Sequence, residues 1–213
     1  VYYFEDSSAN MGYVEASYSY IIPSIMRIKG DYGDLTGTTL KNHISNSYGD
    51  ASIVGTVSID TSVKTFGTGS LKINGGITNY VNLPNVTTIP QNFSISFWLK
   101  PGTFNYAGHF LWYYHNTSNY SSQGFGLKLR NNGLQFYHKT SSRFNMTYDL
   151  EDGNWHHICL VFALYTTDSS TSTYQYTVER YVDNIKDTSS TVYVTADYSI
   201  DYPEHWFGQN PDL

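Results

Sequence analysis

No stretch of twelve residues carries apolar side chains at i, i+3, i+4 and i+7, and this absence excludes a helical architecture. The strongest helix formers, Ala, Leu, Lys and Glu, are sparse. Short β-type runs stand in their place: Ser24–Lys29, Ala51–Ile59, Ser70–Ile73, Tyr80–Leu83, Phe93–Lys100, His109–Tyr114, Gly124–Arg130, Gly133–Lys139, His156–Tyr165, Tyr174–Val182 and Thr191–Thr195. Gly, Pro, Asn, Asp and Ser clusters separate them, and that spacing predicts an all-β sandwich or barrel.

Local patterns sharpen the expectation. Asn131-Asn132-Gly133 and Val182-Asp183-Asn184 read as hairpin turns, because Asn and Asp tolerate positive φ. In the run Phe93 to Leu99, Phe93, Ile95, Phe97 and Leu99 alternate with Ser94, Ser96 and Trp98. One face is core, and Trp98 on the other implies that this face is partly covered as well. The apolar run after His157, with Cys159 inside it, predicts a central strand enclosed on both sides and a buried thiol. The tract Thr166 to Thr173 reads as a surface loop. A two-layer antiparallel sandwich follows, in 213 residues that suffice for one such domain.

Composition removes several classes of function. Twelve Lys and Arg against eighteen Asp and Glu leave a charge of -6, with no basic cluster to neutralise phosphates or an anionic membrane. The longest apolar run, Ile158 to Tyr165, falls far short of the roughly 20 residues of a spanning helix. One cysteine forbids an internal disulfide. Charged residues are only 14%, whereas aromatics reach 17% with 21 Tyr, so the surface is one of hydroxyls, amides and phenols.

The order of four segments resembles a known family. Phe66-Gly67-Thr68-Gly69-Ser70-Leu71-Lys72-Ile73-Asn74-Gly75, then Tyr80-Val81-Asn82-Leu83-Pro84, then Phe93 to Pro101 look like the opening half of a laminin-G-like, concanavalin A-like jelly roll. Leu150-Glu151-Asp152-Gly153-Asn154-Trp155-His156-His157-Ile158 and Tyr181-Val182-Asp183-Asn184 resemble its closing half. The resemblance implies that Ile25 to Gly37 serves as first strand and loop, and that residues 24–213 form the sandwich. Residues 1–23 then read as an upstream linker or the edge of a preceding domain. The family's final strand is not found before Leu213, which reads as a fragment whose edge is completed by further chain or by a neighbouring subunit.

Chemistry is thinly marked. The Glu-x-Asp-x-x-Glu strand of glucanases built on this sandwich is absent; Asp149, Glu151 and Asp152 fall where a turn is expected. His156 and His157 adjoin on a strand and point to opposite faces, which suits packing better than a shared metal. The resemblance admits a calcium ion held by loop carboxylates, for which Asp31, Asp34, Asp50 and Asp60 are the candidates. Sequons at Asn85, Asn92, Asn116, Asn119 and Asn145 permit glycosylation, in about the number that chance supplies.

The densest aromatic segment holds Tyr106, His109, Trp112, Tyr113, His115 and Asn116. Aromatic faces stack on sugar rings while His, Asn and Tyr tips satisfy hydroxyls. Strict alternation there puts Phe110, Trp112 and Tyr114 on one face and His109, Leu111, Tyr113 and His115 on the other, so half of the cluster is expected in the core. The expectation is therefore a noncatalytic module that binds carbohydrate or protein within a larger assembly, at an extracellular, cell or virion surface, without nucleic acid or membrane insertion. A purely structural subunit and a glycoside hydrolase with an unrecognised site are the alternatives.

Overall fold

The structure, a computed structural model, describes residues 28–44, 49–73, 79–83, 90–101, 109–115, 124–130, 133–138, 141–148, 150, 152–187, 192–197 and 204–208. For some strand residues, 109–115 and 204–206 among them, it describes the backbone alone. Sixteen strands and no helix occur among these residues: β1 (Leu35–Thr36), β2 (Thr39–Leu40), β3 (Ala51–Val54), β4 (Val57–Asp60), β5 (Ser70–Ile73), β6 (Tyr80–Asn82), β7 (Asn92–Leu99), β8 (His109–His115), β9 (Gly124–Arg130), β10 (Gly133–His138), β11 (Ser141–Thr147), β12 (His156–Asp168), β13 (Thr173–Val182), β14 (Ile185–Lys186), β15 (Val192–Asp197) and β16 (Glu204–Gly208).

They form a nine-stranded sheet in the order β1-β2-β3-β6-β16-β8-β9-β10-β11. A second sheet runs β14-β13-β12-β7 with β15 also on β13, and β4-β5 make a two-stranded ribbon. The paired strands are antiparallel throughout, as the hairpin chemistry predicts. The two large sheets share one core. Phe97, Ile158, Leu160, Phe162, Tyr176 and Val178 from the second sheet meet Leu127, Leu129, Leu134, Phe136 and Met146 from the first. Phe162 stacks on Phe93 with centroids 4.3 Å apart, and Phe97 meets Phe207 edge-on at 5.0 Å across the sheets. A smaller cluster of Leu40, Ala51, Val57 and Val81 seats the β4-β5 ribbon. This is the all-β, antiparallel, two-sheet sandwich that periodicity and turn spacing predict.

Several local expectations need correction. The run Ala51–Ile59 is two strands in two sheets, because Gly55 takes φ 72° and turns the chain between them. The tract Thr166–Thr173 is half strand: β12 runs to Asp168, β13 starts at Thr173, and the Asp168 carboxylate accepts the Ser170 N–H to close the turn. Main-chain pairing carries those hydroxyl-rich residues although nothing apolar marks them. Strand β11 has only Phe144 and Met146 as apolar residues, too short an alternation to mark a strand. Ile28 and Lys29 lie outside any strand, and residues 24–27 lie outside the described residues. Strand β16 is interior to the nine-stranded sheet, whereas β7 ends the second sheet with β12 as its partner among the described residues.

Cys159 is half-buried, not a core thiol. Burial alternates along β12, so Ile158, Leu160 and Phe162 fill the core while Cys159 and Val161 take the outer face. Burial still pushes the thiol pKa up. The outer face of β7 is covered as Trp98 implied: Ser94 is buried, and Phe66 meets Trp98 edge-on at 5.2 Å.

Candidate functional site

The aromatic segment became β8, between β16 and β9 in the nine-stranded sheet. Its pairing with β9 shifts by one residue between Phe110 and Trp112, so Phe110 lies opposite Lys128 and Trp112 opposite Leu127. This bulge corrects the strict alternation. It exchanges Phe110 and His109 between faces, while Trp112 stays with Tyr114 and Tyr113 with His115.

Two register rows result. One runs Ile53, Val81, Phe207, Trp112, Leu127, Phe136. Val81, Leu127 and Phe136 are buried in it, so this is the core row. The other runs Ser52, Asn82, Trp206, Tyr113, Gly126, Tyr137, Ser142 and occupies the outer face, where Ser52 and Asn82 are exposed. Sheet pairing thus places three aromatic positions, Trp206, Tyr113 and Tyr137, in line across four strands, with Gly126 between the two tyrosines. Beside that row lie Lys128, Gln135 and Asn145, with the Gln135 amide donating to Asn145 Oδ1 at 2.7 Å.

Of the residues singled out from sequence, Tyr113 and His115 hold outer-face register, and Trp112 and His109 hold core register. Tyr106 and Asn116 lie outside the described residues. Trp206 and Tyr137 were not singled out, and no local signal could have found them, since only sheet order makes them neighbours of Tyr113. Among the sequons, Asn145 is exposed and Asn92 accepts the Leu164 N–H at 3.0 Å; Asn85 and Asn119 lie outside the described residues.

The early-loop carboxylates are engaged in separate contacts. Asp31 accepts the Thr68 N–H at 2.7 Å, Asp34 pairs with His43 Nε2 at 2.8 Å, Asp50 accepts the Asn42 N–H and Asp60 the Ser62 N–H. No group of three or more His, Cys, Asp or Glu among the described residues is arranged to hold a metal ion.

A second polar site lies at one end of the second sheet. His156 Nδ1 is 2.8 Å from Asp183 Oδ2, and its Nε2 is 3.0 Å from Asp152 Oδ1. Asp183 Oδ1 accepts the His157 N–H, and the Asp183 N–H donates to the His157 carbonyl. Asp183 and Asn184 have φ of 51° and 64°, the turn their chemistry predicts. His157, one residue on, faces the other way: its Nε2 lies 2.7 Å from Ser96 Oγ and its ring 5.1 Å from Trp98. Burial lowers its pKa. The two histidines therefore split as strand geometry requires.

A two-sheet antiparallel sandwich of this kind is a concanavalin A-like jelly roll. The chain belongs to the concanavalin A-like lectin/glucanases superfamily, whose laminin G-type family model matches residues 74–212. Among solved structures it is similar to domain 4 of AbnA, an extracellular GH43 arabinanase from Geobacillus stearothermophilus, in complex with arabinotriose. That similarity has 15% identity, covers 79% of this chain and 77% of that one, and has a TM-score of 0.52. It is also similar to domains LG4-5 of the mouse laminin alpha1 chain, with 16% identity over 62% of this chain and a TM-score of 0.45. The chain spans about a third, 32%, of that laminin fragment. No curated protein matches the sequence. None of the helices that cross membranes occurs among the described residues.

Proposed function

We propose that this chain is a noncatalytic recognition module that binds carbohydrate on the outer face of its nine-stranded sheet, at an extracellular or particle surface. The supporting observation is the outer register row Asn82, Trp206, Tyr113, Gly126, Tyr137. Aromatic positions in line across a sheet suit successive sugar rings. The described neighbours Ser52, Asn82, Gln135 and Asn145 are hydrogen-bonding groups suited to hydroxyls. The arabinotriose held by domain 4 of the arabinanase agrees with this use of the fold.

The test is a glycan-array screen of the chain, with and without calcium, repeated for Tyr113→Ala and Trp112→Ala. Binding lost in Tyr113→Ala with an unchanged melting temperature is the expected result, whereas Trp112→Ala lowers the melting temperature. A second reading, an assembly subunit without a sugar ligand, draws on β7, whose Phe93, Ile95 and Leu99 are only half-buried at the end of the sheet path. No glycan bound, together with self-association in light scattering, would replace the first reading by this one.

A further inference from the structure

We propose that His156 is a proton-operated latch: its imidazolium fastens the loop 152–155 to the turn between β13 and β14, and loss of its proton releases the loop. An imidazole donates from both nitrogens only when it is cationic. Here both nitrogens lie within 3.0 Å of carboxylate oxygens, Asp183 Oδ2 on one side and Asp152 Oδ1 on the other. The Asp152 carboxylate does not serve as the donor instead. Asp152 is held ionised, its pKa pulled down to about 2, chiefly by the Asn154 side-chain amide and N–H. Asp183 already accepts the His157 N–H through its other oxygen.

Strand β7 presents Leu99 opposite His156, the 152–155 loop presents Asp152, and the turn presents Asp183. Burial opposes the charge on His156, but the hydrogen bonds and charges of Asp183 and Asp152 together prevail and raise its pKa. A raised folded-state value stabilises the fold fully below the unfolded histidine value near 6.5, and that contribution is lost as pH rises through the folded value.

The loop is the side that opens. Asp183 is anchored to the main chain of His157 in β12 twice, its carboxylate accepting the His157 N–H at 2.7 Å and its own N–H donating to the His157 carbonyl at 2.8 Å, whereas Asp152 reaches His156 through the longer contact of 3.0 Å. When the proton leaves, Nδ1–H can remain on Asp183, and Nε2 then turns a lone pair towards the Asp152 carboxylate. The released segment carries the half-buried Trp155.

The experiment is nitrogen-15 NMR of the whole labelled chain between pH 5 and pH 9. Both ring nitrogens of His156 are expected to be protonated at the acid end of this range, with a midpoint above that of free histidine. The amides of Asp152, Gly153 and Asn154 are expected to move with the same midpoint, while His157 titrates below the free value. In His156→Gln those loop amides lose their response, and the denaturant midpoint no longer falls across this range. Should that variant not fold, Asp152→Asn, at an exposed position, is expected to lower the His156 midpoint. A His156 midpoint at or below that of free histidine, or loop amides indifferent to its titration, overturns the latch.

Discussion

A guanidinium inside a two-sheet core costs least when a carboxylate stands beside it. Arg180 is 1% exposed on the core side of β13, and its Nε stands 3.2 Å from Asp187 Oδ2, while the Asp187 N–H donates to the Arg180 carbonyl at 2.9 Å. Arg180→Ala is expected to cost about 3–5 kcal/mol in urea unfolding, because it leaves a partly buried carboxylate without its cation. The double variant Arg180→Met with Asp187→Leu is expected to recover most of the loss; equal losses in single and double variants would show that the arginine acts through packing alone. Sequence could mark the titratable residues but not their partners. The Trp155-His156-His157 motif and the Asp183-Asn184 turn are legible separately, whereas the contact that joins His156 to Asp183 spans 27 positions and exists only in the fold.

Among the elements, the β12-β13 hairpin shows how turn chemistry and register divide the work. The type of turn that ends β13 is set locally, by two residues that accept positive φ. Asn184→Gly is therefore expected to leave stability unchanged or slightly raised in thermal melts, whereas Asn184→Val costs about 1–2 kcal/mol from the forced left-handed backbone. The bulges are different. Register slips between Leu164 and Thr166 in β12, and between Phe110 and Trp112 in β8, leave no trace in the period of apolar residues. Strict alternation consequently placed His109 and Phe110 on the wrong faces. It also could not show β11, where Phe144 and Met146 alone alternate and the pairing with β10 fixes the strand.

Across the whole molecule, the core is held by aromatic contacts that tie β7, β12 and β13 together and bridge to the opposite sheet. Phe162 stacks on Phe93 at 4.3 Å, meets Tyr176 edge-on at 6.2 Å, and approaches Phe136 of the other sheet at 5.7 Å. Phe162→Ala is expected to cost about 3–5 kcal/mol in denaturant unfolding, the loss of a buried ring and the cavity it leaves. Tyr165→Ala is the control. That ring is 61% exposed and touches only the exposed Tyr193 among the described aromatic contacts, so its removal is expected to stay within about 0.5 kcal/mol.

The sequence by itself determined the class of fold, most strand positions, the Asp183-Asn184 turn and the family motifs, because periodicity, turn chemistry and short motifs are encoded within a few residues. Tertiary structure alone decided which distant strands lie side by side. The order β6-β16-β8-β9-β10 brings Asn82, Trp206, Tyr113, Gly126 and Tyr137 into one row although they are spread from position 82 to position 206. Likewise only the fold shows that Cys159 faces outward and that His156 lies between two carboxylates. Pairing between strands is a long-range choice, made by the joint burial of many side chains, and no window of neighbouring residues contains it.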